Sequence, residues 1–465
     1  MQRSVGQCVG SKSGVASFTE EVLDELARHS GFVKRRSNKL TPMALVSCLL
    51  HFIAQPKISF RMWASWITMN FARVSKQALW KRIDANAVEF LKTLMCRQLK
   101  ETTGGSMLRG RGVFSTFSKV LVQDSTTIHL PDKFQDVFPG SANRHAAYAT
   151  MKIQLIYDLL ADVPFSFSIS SFRRNDQAAS PDILGLIKEK DLVLRDLGYF
   201  VLDTFNAIQE RGAYFLSRYR FGTNLYVNPD DEAPFDFAKY LRKMKKNGIG
   251  SVDMNLHIGA KNRLKLRVVA VRVPDKIAAE RKRRAKSNRD SSLNPGKDRL
   301  SMLNWEVFVT NVGDSTWSTE TVAEVYGFRW KVESIFKVWK SYFKLPDVPD
   351  SCSQNQLECM IYARLIFTIL YHAAIWVPCK RALDNPERRQ WVSPFKLASL
   401  VPLYINDFIL LVATGKLNQK LIQLIKDFAL YDKRRRLSFE EILSYYCNRQ
   451  EDMQSIMKTT NYALG

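Results

Sequence analysis

The stretch Tyr326-Gly-Phe-Arg329-Trp-Lys-Val-Glu333-Ser-Ile-Phe-Lys337-Val-Trp-Lys340 constrains this chain more than any other. On a helix of about 3.6 residues per turn, offsets of three, seven and fourteen from Tyr326 fall within roughly 60° of one another. The spacing therefore predicts one helix face that presents a phenol, a guanidinium, a carboxylate and an ammonium. The other side carries Val332, Ile335, Phe336, Trp339 and Phe343, an apolar stripe suited to holding the helix against a core. A lone carboxylate among cations invites a phosphate and a metal ion. Amphipathic helices also carry Arg, Lys and Glu that only stay solvated, so the spacing by itself leaves both readings open.

The full pattern Y-x2-R-x3-E-x6-K resembles the signature of the DDE transposases of bacterial insertion sequences, specifically insertion sequence family four. That resemblance implies two aspartates upstream, each at a strand end. Asp124 follows the apolar run Val120-Leu-Val122, with polar residues after it that can end a strand, and Asp196 follows Leu192-Val-Leu194 before a Gly-containing turn. In isolation, either reads more readily as a turn or capping residue, and in order with the downstream signature they become a triad. Residues Tyr148 to Leu160, Phe165 to Ser170 and Gly212 to Tyr219 read as extended, and Ala178 to Lys190 and Asp203 to Arg211 as helical. Leu264 to Val273 and Trp305 to Val312 add strands in the long gap before Glu333. The expected fold is α/β: a ribonuclease H-like mixed-sheet core over 113–345 with a β-rich insertion at about 221–315, a helical DNA-binding region over 1–112 and a helical region over 346–465 that the resemblance assigns to dimer contacts.

Three converging carboxylates repel one another unless cations neutralise them, and hard oxygen ligands favour Mg²⁺, with Mn²⁺ as a substitute. By resemblance, Asp124, Asp196 and Glu333 are the catalytic residues and hold two such ions. Tyr326, Arg329 and Lys340 grip phosphates near the transposon end, Arg329 as a bidentate fork and Lys340 as a point charge. Lys337 and Trp330 also lie where family members touch DNA. Trp305 either stacks on a flipped base or packs in the inserted sheet. The activity implied is cut-and-paste transposition: binding of terminal inverted repeats, pairing of two ends in a homodimer, strand cleavage and joining of each 3′-OH to target DNA. A different two-metal nuclease on the same core, or a domesticated product that only binds DNA, would share many of these residues.

Composition agrees with a nucleic-acid partner. The chain has 69 Lys plus Arg against 45 Asp plus Glu, a formal charge of +24, and such an excess makes binding to polyphosphate strong and salt-dependent. The basic residues cluster at Arg242-Lys-Met-Lys-Lys246, at Arg281-Lys-Arg-Arg284 with Lys286 and Arg289, and at Lys433-Arg-Arg-Arg436, and Ala278 to Arg299 reads as a flexible excursion. Met1 to Ala16 lacks an apolar h-region, and the most apolar stretch, Met360 to Val377, contains Arg364 and His372 and reads as a buried helix, so a cytoplasmic protein without a membrane partner is expected. The seven cysteines form no CxxC pair, which argues for reduced thiols and against a zinc site. At the N-terminal end Phe18 to His29, Pro42 to Ala54 and Ser59 to Asn70 read as helices. Ser75 to Ile83 resembles the second helix of a helix-turn-helix, offering Lys76, Gln77, Lys81 and Arg82 to DNA.

Overall fold

The computed structural model describes residues 18–35, 40–53, 59–102, 111–142, 147–287, 295–431 and 439–448. Five helices come first: α1 (Glu20–His29), α2 (Pro42–His51), α3 (Phe60–Asn70), α4 (Lys76–Arg82) and α5 (Ala85–Thr102). Each of the first four starts at a Ser or Thr whose hydroxyl accepts a backbone N–H of the first turn, at Thr19, Thr41, Ser59 and Ser75. Asp84 does the same for α5. The chain then alternates strands and helices: β1 (Lys119–Leu130), β2 (Pro139–Ala142), β3 (Ala147–Asp158), β4 (Val163–Ser171), α6 (Asp176–Ala179), β5 (Asp191–Arg195), α7 (Leu202–Glu210), β6 (Tyr214–Arg218), β7 (Leu225–Tyr226), α8 (Phe237–Lys246), β8 (Ser251–Ile258), β9 (Leu264–Arg272), α9 (Asp275–Lys286), α10 (Lys297–Met302) and β10 (Trp305–Thr310). Helices complete the described chain: α11 (Thr319–Gly327), α12 (Trp330–Ser341), α13 (Gln354–Leu370), α14 (Val377–Leu383), α15 (Pro394–Leu400), α16 (Ile405–Thr414), α17 (Gln419–Phe428) and α18 (Phe439–Asn448).

These elements form two compact units, one of Met1–Met107, Ser125–Arg173 and Val332–Ile442, the other of Leu108–Asp124, Arg174–Lys331 and Leu443–Gly465. The units interleave along the chain. In the first, β3 and β4 form a long antiparallel pair from Met151↔Ser171 to Asp158↔Val163. The apolar stripe of α12 is buried there: Val332, Ile335, Phe336, Trp339 and Phe343 are all at most 7% exposed. Trp339 packs at a tilt against Phe167 of β4, ring centroids 5.6 Å apart, and Phe343 meets Phe367 and Tyr371 edge-on. The run Gln354–Leu383 is long and apolar enough to cross a membrane, but 78% of its most apolar window is buried inside the protein, as expected of a core helix.

In the second unit the strands run in the order β1-β5-β6-β10-β9-β8-β7. The β1-β5-β6 part is parallel, and β6-β10-β9-β8 is antiparallel. All five residues of β5 are buried, as a central parallel strand requires. This is the mixed sheet with flanking helices that the ribonuclease H-like reading requires. The insertion is not purely β-rich, because α8, α9 and α10 alternate with its strands.

Four local expectations are corrected. Asp124 does not end its strand. β1 continues to Leu130 because Thr126, Ile128 and Leu130 alternate inward with outward neighbours. Helix over 178–190 shrinks to α6 and a 3-10 turn, Ser180–Gly185, where Pro181 removes a backbone donor. The basic stretch from Ala278 is helical through Lys286, while Arg289 and Lys433–Arg436 lie outside the described residues. Finally, Tyr326 to Lys340 is two helices. After Gly327, the N–H groups of Phe328 and Arg329 bond to carbonyls three residues back, at Val325 and Tyr326, and α12 starts anew at Trp330. Phe328 fixes the break, its ring 5.8 Å from Phe114 and 5.4 Å from Tyr446.

Candidate active site

The β1-β5 register positions the two aspartates. Its last rung is Gln123↔Arg195, so Asp124 and Asp196 are the next residues on adjacent parallel strands. Side chains alternate along a strand, so the two aspartates share the face opposite to Gln123 and Arg195. On that face Arg329 meets both: its Nη1 donates to Asp124 Oδ2 at 2.9 Å, and its Nε lies 3.7 Å from Asp196 Oδ1. The Arg329 and Asp124 side chains are 9% and 15% exposed, whereas Asp196 keeps 42% of its surface in solvent. One guanidinium thus offsets two carboxylates that would otherwise repel.

On the opposite face a second arginine joins the same two strands. Arg195, fully buried, donates to Gln123 Oε1 at 2.9 Å and to both oxygens of Ser180 at 2.7 Å. Gln123 in turn donates to the Ala179 carbonyl at 3.1 Å. Burial pulls the Arg195 guanidinium down to about 9, which leaves it charged at neutral pH. Sequence reasoning overlooked this clamp. The signal available was a lone arginine closing an apolar strand directly before Asp196.

Tyr326 backs the pair. Its ring lies 5.9 Å from the Arg329 guanidinium and 5.3 Å from that of Arg218, and it contacts Phe308 at 5.1 Å. It is 2% exposed, and burial pushes its phenol up to about 12. Tyr326 and Arg329 are therefore interior groups rather than parts of an open helical face. Trp330 is 41% exposed beside Arg329, with the guanidinium 5.6 Å from its ring. Trp305 opens β10 opposite Arg272 and is 4% exposed, packed in the inserted sheet.

Glu333 lies in the first turn of α12, four residues after Arg329. Lys337 and Lys340 follow it at offsets of four and seven and so share its helical face. Lys337 is exposed and Lys340 half-buried, its ammonium lowered by that burial. Among the described residues no group of three or more Asp, Glu, His or Cys side chains is arranged as ligands around one point. The aspartate pair offers the carboxylate oxygens that Mg²⁺ and Mn²⁺ prefer, so two of the three expected ligands fit such an ion by donor type and by proximity to one shared cation. The six described cysteines are free thiols.

At the N-terminal end α4 leaves Lys76, Gln77 and Lys81 exposed, whereas Arg82 packs inward, its guanidinium 4.5 Å from the Phe32 ring and bonded to the Phe32 carbonyl.

Residues 115–370 match the model of the family described as Transposase DDE domain. The chain is 27% identical over 442 residues to the transposase for insertion sequence element IS231B of Bacillus thuringiensis subsp. berliner, covering 90% of each chain. It is 28% identical over 441 residues to that of IS231D of Bacillus thuringiensis subsp. finitimus, again 90% of each. It is 27% identical over 394 residues to that of IS1151 of Clostridium perfringens, covering 81% of this chain and 83% of that one. Among solved structures, a piggyBac transposase synaptic complex with hairpin DNA aligns with a TM-score of 0.44 at 9% identity, over 93% of this chain and 88% of that chain.

Proposed function

This chain belongs to the transposase DDE-domain family, and from that membership we propose that it moves its own insertion sequence by cut-and-paste: it binds the terminal inverted repeats, pairs two ends as a homodimer, cleaves the strands and joins each 3′-OH to target DNA. The observation that carries this reading is the placing of Asp124 and Asp196 each one residue past the last β1-β5 rung, with one arginine reaching both.

The family generally uses divalent metal ions. We assign two Mg²⁺ ions, with Mn²⁺ as substitute, to Asp124, Asp196 and Glu333; when bound, they would activate a water or a DNA 3′-hydroxyl and stabilise the leaving oxygen. The chain's own residues do the rest. The backbone ladder sets the spacing of the two aspartates, so little side-chain entropy is lost in presenting their oxygens. Arg329 holds the pair together, and the family resemblance assigns its guanidinium to a phosphate near the transposon end. Tyr326 fixes the guanidinium from behind as a neutral, buried ring. Lys337, Lys340 and Trp330 contact the DNA near the cut, the lysines as point charges and the indole as an exposed stacking surface. Trp305 reaches a flipped base only by leaving its packed position in β10.

The test is cleavage and strand transfer on labelled DNA spanning both flanks of the gene, with Mg²⁺ or Mn²⁺, comparing native protein with Glu333→Gln and Asp196→Asn. The expected result is paired, metal-dependent breaks at inverted repeats that fall by a thousandfold or more in either variant, on the order of 4 kcal/mol in barrier, with end binding retained. Cleavage surviving in Glu333→Gln sinks the triad assignment. Nicking without regard to sequence points to a general two-metal nuclease, and end binding without any cleavage to a domesticated DNA-binding protein.

A further inference from the structure

The helices α8 and α9 hold eleven Lys or Arg against two acidic residues, a net +9 of the chain's +24. A charge run of this kind is ordinarily a solvated surface, but here cations converge. Lys245 of α8 and Lys282 of α9 both donate to a single oxygen, Asn304 Oδ1, at 2.8 and 2.7 Å. Two ammonium groups on one neutral acceptor repel, and the Lys282 ammonium is lowered first by burial and then by Lys245. Two residues along the chain Glu306 is shared by two arginines, Arg281 at 2.6 Å and Arg218 at 3.5 Å. Arg218 in turn lies over the Tyr326 ring, whose other neighbour is Arg329, the partner of Asp124 and Asp196.

The contacts therefore run from α8 and α9 to Asn304 and, two residues further along the chain, from Glu306 through Arg218 and Tyr326 to Arg329, with more cations than carboxylates at each step until the aspartate pair itself. Like charges held this close are an electrostatic strain that an external polyanion relieves. A single phosphate would not match the series, whereas the regularly spaced phosphates of a DNA strand would.

We propose that α8 and α9 form a DNA-backbone track that leads into the aspartate pair and holds the phosphates of the duplex flanking the bond to be cut. The proposal rests on the DNA-cutting reading above and adds to it a surface that neither the Y-x2-R-x3-E-x6-K signature nor α4 contains. The track reads no bases. It lengthens the electrostatic footprint and fixes the direction in which the duplex leaves the site.

The experiment measures binding of a labelled mixed-sequence duplex against salt concentration, and cleavage of the element's ends at saturating DNA, for the native protein and for the combined variant Lys243→Gln, Lys246→Gln, Lys286→Gln. These three side chains are exposed and lie outside the contacts just described, so folding is preserved. Each lost phosphate contact makes the dependence of log K on log salt shallower by about 0.9, so a slope reduced by about two to three is expected, with the saturated cleavage rate unchanged and more DNA needed to reach it. A second variant, Lys282→Gln, should reduce the slope by about one. An unchanged slope in both variants overturns the track. So does binding of an acidic polypeptide as tight as that of the duplex, which would assign the surface to a protein partner. Native protein that cuts nothing would refute the transposase reading instead, a result the binding slopes do not mimic.

Discussion

Two carboxylate sites in this chain are each paired with a basic side chain, and they are built on opposite plans. Asp162, in the β3-β4 connection, is 6% exposed and enclosed by donors: Tyr157 gives its O–H to Oδ1 at 2.6 Å, and Trp376 Nε1 and Lys380 Nζ meet Oδ2 at 2.7 and 2.8 Å. Burial works against the Lys380 ammonium, but Asp162, Glu440 and Asp384 together hold it above its ordinary value. The Asp124 and Asp196 pair has one guanidinium for two carboxylates, and one of the two stays 42% exposed. The first arrangement satisfies its charge completely and leaves nothing for a ligand. The second keeps the Asp196 carboxylate open to solvent, where a cation can reach its oxygens. Enclosure separates the carboxylate that holds the fold from the pair proposed to do chemistry.

The sharpest way to break this comparison is to neutralise each carboxylate in turn. Asp162→Ala strands a buried ammonium and should lower unfolding free energy by about 3–5 kcal/mol, while Asp196→Asn, whose arginine keeps Asp124, should change it by less than about 1 kcal/mol. Denaturant titration decides, and equal effects would end the distinction.

A second measurement probes the enclosed network through pH. Burial raises the Asp384 carboxyl from 3.8 to about 7. Between those values the folded chain binds a proton that the unfolded chain releases, so Asp384 contributes most stability at about pH 4 and loses it as pH rises through 7. Because the residue is only partly enclosed, the loss should be roughly 2–4 kcal/mol. Melting profiles of Asp384→Asn should lack that slope, and a parallel pH dependence in the two proteins contradicts the assignment.

The smallest effect concerns the underside of the aspartate pair. Arg195→Met keeps the volume but cuts the tie between Gln123 and Ser180, and should reduce cleavage about tenfold to a hundredfold. Higher metal concentration should restore part of the loss, which a folding defect would not allow. Full activity in Arg195→Met would show that the ladder alone aligns the aspartates.

Much of this was legible in the sequence where the signal is local. Hydroxyl caps at Thr19, Thr41, Ser59 and Ser75 start their helices, and alternating or continuous apolar runs mark β3, β4, β9 and β10. Asp124 and Asp196 stand together because two apolar runs pair in register, one residue short of each aspartate. The failures are instructive in the same terms. Gly327 fits the helical face in the linear pattern, because a glycine followed by a large apolar residue is a stop signal only when that residue has an anchor, and the anchors Phe114 and Tyr446 are far away in sequence. The continuation of β1 was missed because Ser125 and Thr127 look like a turn unless the inward Thr126 and Ile128 are counted. The Arg195-Gln123-Ser180 contacts join residues up to 72 positions apart, and nothing in a linear pattern announces them.

The chain crosses between its two units five times, and two of the crossings, after Asp124 and after Lys331, fall inside β1 and inside α12. No continuous fragment carries one unit whole without most of the other. A gene copy interrupted anywhere between those crossings therefore encodes no intact half that could persist as a competing repressor, and a recombination event cannot exchange one unit as a cassette.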